Sequence, residues 1–195
     1  MTETEWLTCE DPKEMLVGLE GLVTERQLRL FACAYCRSVW KHITDRHTKA
    51  LIRLTEGTAE TADSEKELQA IWGVHFAKSF VCGGRRLDKA RIYSWVLDQV
   101  EPVAPNRTEK AVSLLREILG NPFHSVVFSP VWRSSDVMLL ARGIYDDRVF
   151  DRMPILADAL QDAGCDNADI LTHLRDPNAT HVRGCWALDL VLGKE

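Results

Sequence analysis

An all-α fold of about ten short helices is what the 195-residue chain predicts, and three observations predict it. Helix start signals recur along the chain. Apolar residues return at three- and four-residue spacing between them. Strand-like patterning is confined to one short run, Val126-Val127-Phe128. Such a chain buries its apolar stripes helix against helix, in one compact multi-helix domain. Pairs of short helices also allow stacked helical hairpins, although no fixed-period repeat is present.

The elements follow in order. Thr2 with Glu5 forms a capping box ahead of Trp6 and Leu7. Asp11-Pro12-Lys13-Glu14 places Asp at the N-cap, Pro at the first helical position and Glu at the third, for a helix ending near Gly18 or Gly21. Thr24 with Gln27 opens a helix expected to run to about His42. A further helix spans 45–56 and closes at Gly57. Ser64 with Glu67 caps one through about Phe80, and Gly83-Gly84 breaks the chain. Residues 85–100 read as a helix, with Pro102 and Pro105 in the connection after it.

Ala111, Leu114, Leu115, Ile118 and Leu119 mark an amphipathic helix over 108–119, with Gly120 placed to terminate it. Asn121-Pro122 turns the chain. Helices then start at Ser129-Pro130 and Ser135-Asp136. Residues 154–163 end at Gly164, Asp166 is read as the next cap, Pro177 interrupts, and 182–192 completes the fold before Gly193. The chain reads as one domain, 1–195. The alternative is two lobes, 1–100 and 108–195, joined near 101–107.

Composition narrows the class of protein. Apolar residues make up 46% and charged residues 27%, enough to build a core without disulfides. The net charge of −5 offers no overall basic character for nucleic acid, so such contact is expected only as part of a complex. No run approaches the roughly 18 apolar residues of a membrane helix, so no membrane partner is expected. The start Met-Thr-Glu-Thr-Glu-Trp lacks a signal-peptide pattern. The expected location is cytoplasmic, with the six cysteines reduced.

Cys33 and Cys36 are the pair most able to carry chemistry. At i and i+3 on a helix they share a face and can reach one zinc ion. Two of His173, His181 and Cys185 would complete a tetrahedral set, since Pro177 allows a turn between them. The competing reading makes both cysteines core residues beside Leu28, Leu30, Phe31 and Val39.

A basic cluster, Arg85, Arg86, Lys89 and Arg91, follows two glycines and is a candidate anion or nucleic-acid contact. Asp146, Asp147 and Asp151 are interleaved with Arg148 and Arg152, which points to local ion pairs. Residues 155–174 have a helix-turn-helix outline, but five Asp against two Arg over 151–175 would repel DNA. His124 sits on a loop with no partner evident from sequence.

The stretches Glu5-Trp-Leu-Thr-Cys-Glu-Asp-Pro12, Leu28-Arg-Leu-Phe-Ala-Cys33, Leu115-Arg-Glu-Ile-Leu-Gly-Asn-Pro-Phe123, Pro154-Ile-Leu-Ala-Asp-Ala-Leu160 and His181-Val-Arg-Gly-Cys-Trp186 onward resemble a family of bacterial proteins multiplied in planctomycete-type genomes. The resemblance covers both ends of the chain and brings no established activity. Where the family pattern reads Cys-Ala-Cys-Cys, this chain has Tyr35 in the third place. Large sets of paralogues imply a recognition or adaptor role rather than a housekeeping enzyme. The expectation is therefore a non-enzymatic interaction or adaptor module of a bacterial cytoplasmic assembly, with another protein as partner. The alternatives are a zinc-stabilised helical domain and a nucleoprotein accessory subunit.

Overall fold

The computed structural model describes residues 1–19, 21–43, 46–58 and 106–194. Among them every regular element is helical, and the all-α expectation holds. The helices are α1 (Glu3–Thr8), α2 (Pro12–Gly18), α3 (Glu25–Ser38), α4 (Arg46–Thr58), α5 (Arg107–Leu119), α6 (Ser135–Asp147), α7 (Met153–Asp162), α8 (Ala168–Arg175) and α9 (Trp186–Leu192). Short 3-10 turns occupy Pro130–Trp132 and Phe150–Arg152. The helices expected over 64–80 and 85–100 lie outside the described residues, as do Arg85, Arg86, Lys89 and Arg91. No described helix is long and apolar enough to cross a membrane.

The caps explain most boundaries. Thr2 and Glu5 make a capping box on α1, and Thr24 and Gln27 make another on α3. The Asp11 carboxylate accepts from the Lys13 and Glu14 amides at the start of α2. Three expectations are corrected. α3 stops at Ser38 rather than near His42, because the chain turns at Val39. Asn167, not Asp166, caps α8, its side chain accepting from the Ile170 amide at 3.1 Å. The 126–128 run forms no strand: it is an irregular link into a 3-10 turn, where Phe128 packs edge-on to Trp132 at 5.2 Å.

The chain divides into two compact units: Asp11–Ala111, and Met1–Glu10 together with Val112–Glu195. In the first, α3 packs on α4, with Cys33 Sγ 4.0 Å from the Ile52 carbonyl, and Phe31, Cys33, Tyr35, Cys36 and Ile52 are all buried. The Arg37 guanidinium donates to both oxygens of Glu56, at 2.8 and 2.6 Å, and ties the two helices at the edge of that core.

In the second unit, the first ten residues dock on α5. Trp6 is buried and its indole N–H donates to the Gly120 carbonyl at 3.0 Å. Arg116 donates to the carbonyls of Trp6, Leu7 and Cys9, which α1 leaves open at its C-terminus. Helices α6–α9 bury Val137, Ile144, Leu156, Leu160, Ile170 and Leu188 in one core. Arg133 closes the end of α9 by donating to the carbonyls of Leu190 and Val191.

Candidate metal centre

At one edge of this second unit, three elements converge on a cluster of four side chains: Glu117, His173, His181 and Cys185. Glu117 lies in α5, one turn after Leu114 and on the margin of the buried stripe. His173 is in the last turn of α8. His181 lies in the link after Pro177, and Cys185 is the N-cap of α9.

The local backbone explains how His181 and Cys185 share a site. The Cys185 amide donates to the Val182 carbonyl at 3.0 Å, closing a four-residue turn. Gly184, at φ 92°, holds the left-handed position that such a turn requires, where a side chain would be strained. The turn also explains why α9 begins at Trp186 rather than near Val182, as the sequence had suggested. Helical residues four apart would be locked one turn above each other. The turn instead brings Cys185 Sγ within 3.9 Å of His181 Nδ1.

The donor atoms lie within 4.8 Å of one another. His173 Nε2 is 3.3 Å from Cys185 Sγ and 3.4 Å from one Glu117 oxygen. His181 Nδ1 is 3.0 Å from the other Glu117 oxygen. A zinc ion with Zn–N near 2.0 Å and Zn–S near 2.3 Å separates tetrahedral donors by about 3.3–3.5 Å. The cluster therefore has the dimensions and the donor types of a site for a borderline-soft divalent ion.

Burial strengthens that match. The Cys185 side chain is inaccessible, and the Glu117 and His181 side chains are only 5% and 7% exposed. His173 is 19% exposed and packs against the His181 and Trp186 rings at 5.1 and 5.0 Å. Burial is the main cause that holds His173 below the ordinary imidazole range, ahead of the opposing pull of Glu117. A neutral imidazole is the ligand form. Burial also pushes the Cys185 thiol well above its ordinary range, and the Glu117 carboxylate adds to this. Only a nearby positive charge would make it a thiolate. A divalent cation would supply that charge, and its two positive charges would balance the carboxylate and the thiolate. His181 Nε2 is buried and has no hydrogen-bond partner.

The cluster contains three of the five ligands read from sequence, His173, His181 and Cys185. Its fourth member, Glu117, was not singled out. Cys33 and Cys36 belong to no group of three or more potential ligands among the described residues. They sit in α3, in the other unit, 5% and 7% exposed and packed toward α4. Burial, with Glu56 contributing, pushes the Cys36 thiol up to about 12. Both cysteines thus have the environment of core residues. His124 pairs with Asp169 at 3.5 Å, both side chains more than half exposed. No protein-family model matches the chain, and no curated protein or solved structure matches it.

Proposed function

We propose that the unit built from Met1–Glu10 and Val112–Glu195 is a zinc-stabilised helical module, with Zn²⁺ held by Glu117, His173, His181 and Cys185. The observation that carries the reading is the convergence of four ligand atoms of the right type within 4.8 Å. Four protein donors in a buried site leave no position open to substrate, which favours a structural over a catalytic role. The ion's work would be to tie α5 to α8 and the segment leading into α9, which lie far along the chain from α5.

Metal analysis of protein purified without chelator tests this. One zinc per chain, reduced below a tenth in the Cys185→Ser/His181→Ala double variant, is the expected result. Wild-type protein that stays metal-free after dialysis against micromolar zinc sinks it.

A second reading, a protein-interaction or adaptor module, is favoured by the exposure of Val127, Val131 and Leu139, each at least 75% accessible. The first partner to test is a second copy of the chain. Concentration-dependent sedimentation that Val131→Asp abolishes supports that partner, and a monomer at all concentrations excludes it.

A further inference from the structure

The unit that does not hold the metal cluster carries a charge pattern opposite to that of the chain. From Arg37 to Arg53 there are five Lys and Arg against one Asp, within a protein of net charge −5. A local excess of this kind is the electrostatic footprint of a polyanion contact. The fold concentrates it further. Arg46, Lys49 and Arg53 recur at three and four residues along α4, so they line one face over about 10 Å of helix.

Trp40, just after α3, packs against part of that face. Lys49 Nζ and Arg53 Cζ each lie 5.2 Å from its ring centroid, and Arg37 Cζ lies 4.2 Å away. Arg37 is neutralised from beneath by Glu56, at 2.6 Å. No carboxylate among the described residues lies within ion-pair distance of Arg46, Lys49 or Arg53. The first turn of α4 has no acidic residue either, so Arg46 adds a positive charge at the positive end of the helix. Among the described residues Arg46, Lys49 and Arg53 therefore carry charge that no carboxylate neutralises, and a bound polyanion would answer it.

The geometry points to a single-stranded nucleic-acid contact on this face: phosphates on Arg46, Lys49 and Arg53, and a base edge or ring on Trp40. Single strands are held without sequence preference by cations that take the phosphates and an aromatic side chain that takes a base, and here the base would meet the part of the indole that the overlying cations leave exposed. A duplex would use the cations and leave the indole idle, and a lipid headgroup would do the same. The inference is independent of the zinc reading, because it uses none of the metal-cluster residues.

The test is fluorescence anisotropy of a labelled 20-nucleotide oligo-dT, with oligo-U alongside, at low salt with the full-length protein. Affinity in the range of about 1–100 µM is expected, weakening with added salt at a log–log slope of about −2 for three phosphate contacts. Lys49→Glu/Arg53→Glu should weaken binding tenfold or more with unchanged helical circular dichroism. Trp40→Leu should weaken single strands at least fivefold and leave duplex binding unchanged. Absence of binding at 100 µM protein overturns the proposal. So does binding that the charge reversal leaves intact, or a preference for phosphatidylserine vesicles or duplex over the single strand.

Discussion

Zinc removal is the perturbation whose effect follows most directly from the cluster. In the proposed site a metal would bind only the folded arrangement, because Glu117 and Cys185 are separated by 67 intervening residues in an unfolded chain. Structural zinc sites bind with about 10–16 kcal/mol, so a free concentration near 1 µM exceeds the dissociation constant by a thousandfold or more in the middle of that range. Mass action then adds about 4 kcal/mol to the stability of the unit. For a unit of about ninety residues, each kilocalorie raises the midpoint by roughly 4–8 °C. The loaded unit should therefore melt about 15–30 °C above the chelated one. Near-ultraviolet circular dichroism is the assay, since Trp186 stacks beside His173 and reports the site directly. Cobalt substitution gives a second readout: tetrahedral visible bands with a thiolate charge-transfer band that disappears in Cys185→Ser. A midpoint that moves by less than 2 °C between saturating zinc and chelator would refute the reasoning, and with it the idea that the cluster is a metal centre.

Three further outcomes follow from named side chains. Near neutral pH, zinc should displace one proton from the raised Cys185 thiol and none from His173, so affinity should rise about tenfold per pH unit; calorimetry in buffers of different ionisation enthalpy counts the proton, and a count of zero removes Cys185 from the ligand set. In metal-free protein burial makes His173 harder to protonate in the fold than in the unfolded chain, where it protonates near pH 6.5, so the unfolded state binds more protons and stability falls as pH drops below about 6.5; denaturant titrations of His173→Gln should lose that slope. Gly120→Ala puts a Cβ 2.9 Å from Trp186 Cγ at a φ of 61°, a left-handed strain and a clash that together should destabilise by about 2–5 kcal/mol; an unchanged melting curve would mean the indole yields freely.

Much of the fold was legible because caps are local. Thr2–Glu5, Asp11–Pro12 and Thr24–Gln27 each satisfy backbone groups within one turn, so four residues of sequence suffice to read them. Ends were less legible. α3 stops at Val39 with no glycine or proline to announce it, and α9 starts late because a tertiary demand, the turn at Gly184, outweighs the apolar periodicity of 182–192. The candidate cluster was legible in its C-terminal half, where His173, His181 and Cys185 stand within thirteen residues.

Its fourth member was not, and the reason is physical. A glutamate on an amphipathic helix reads as solvated unless something shows which way its edge of the helix faces. Glu117 is on the margin of the stripe formed by Leu114, Leu115 and Ile118, and only the docking of α8 and the 181–185 link over that margin buries it. Cys33 and Cys36 are the converse case. Their spacing puts two thiols on one helical face, but that face is the one α3 turns toward α4, where Cys33 Sγ rests 4.0 Å from the Ile52 carbonyl. Spacing on a helix states which side chains point together. Whether they point at a ligand or at a core depends on what packs against that face. In this chain apolar side chains surround Cys33 and Cys36, whereas a carboxylate and two imidazoles surround Cys185.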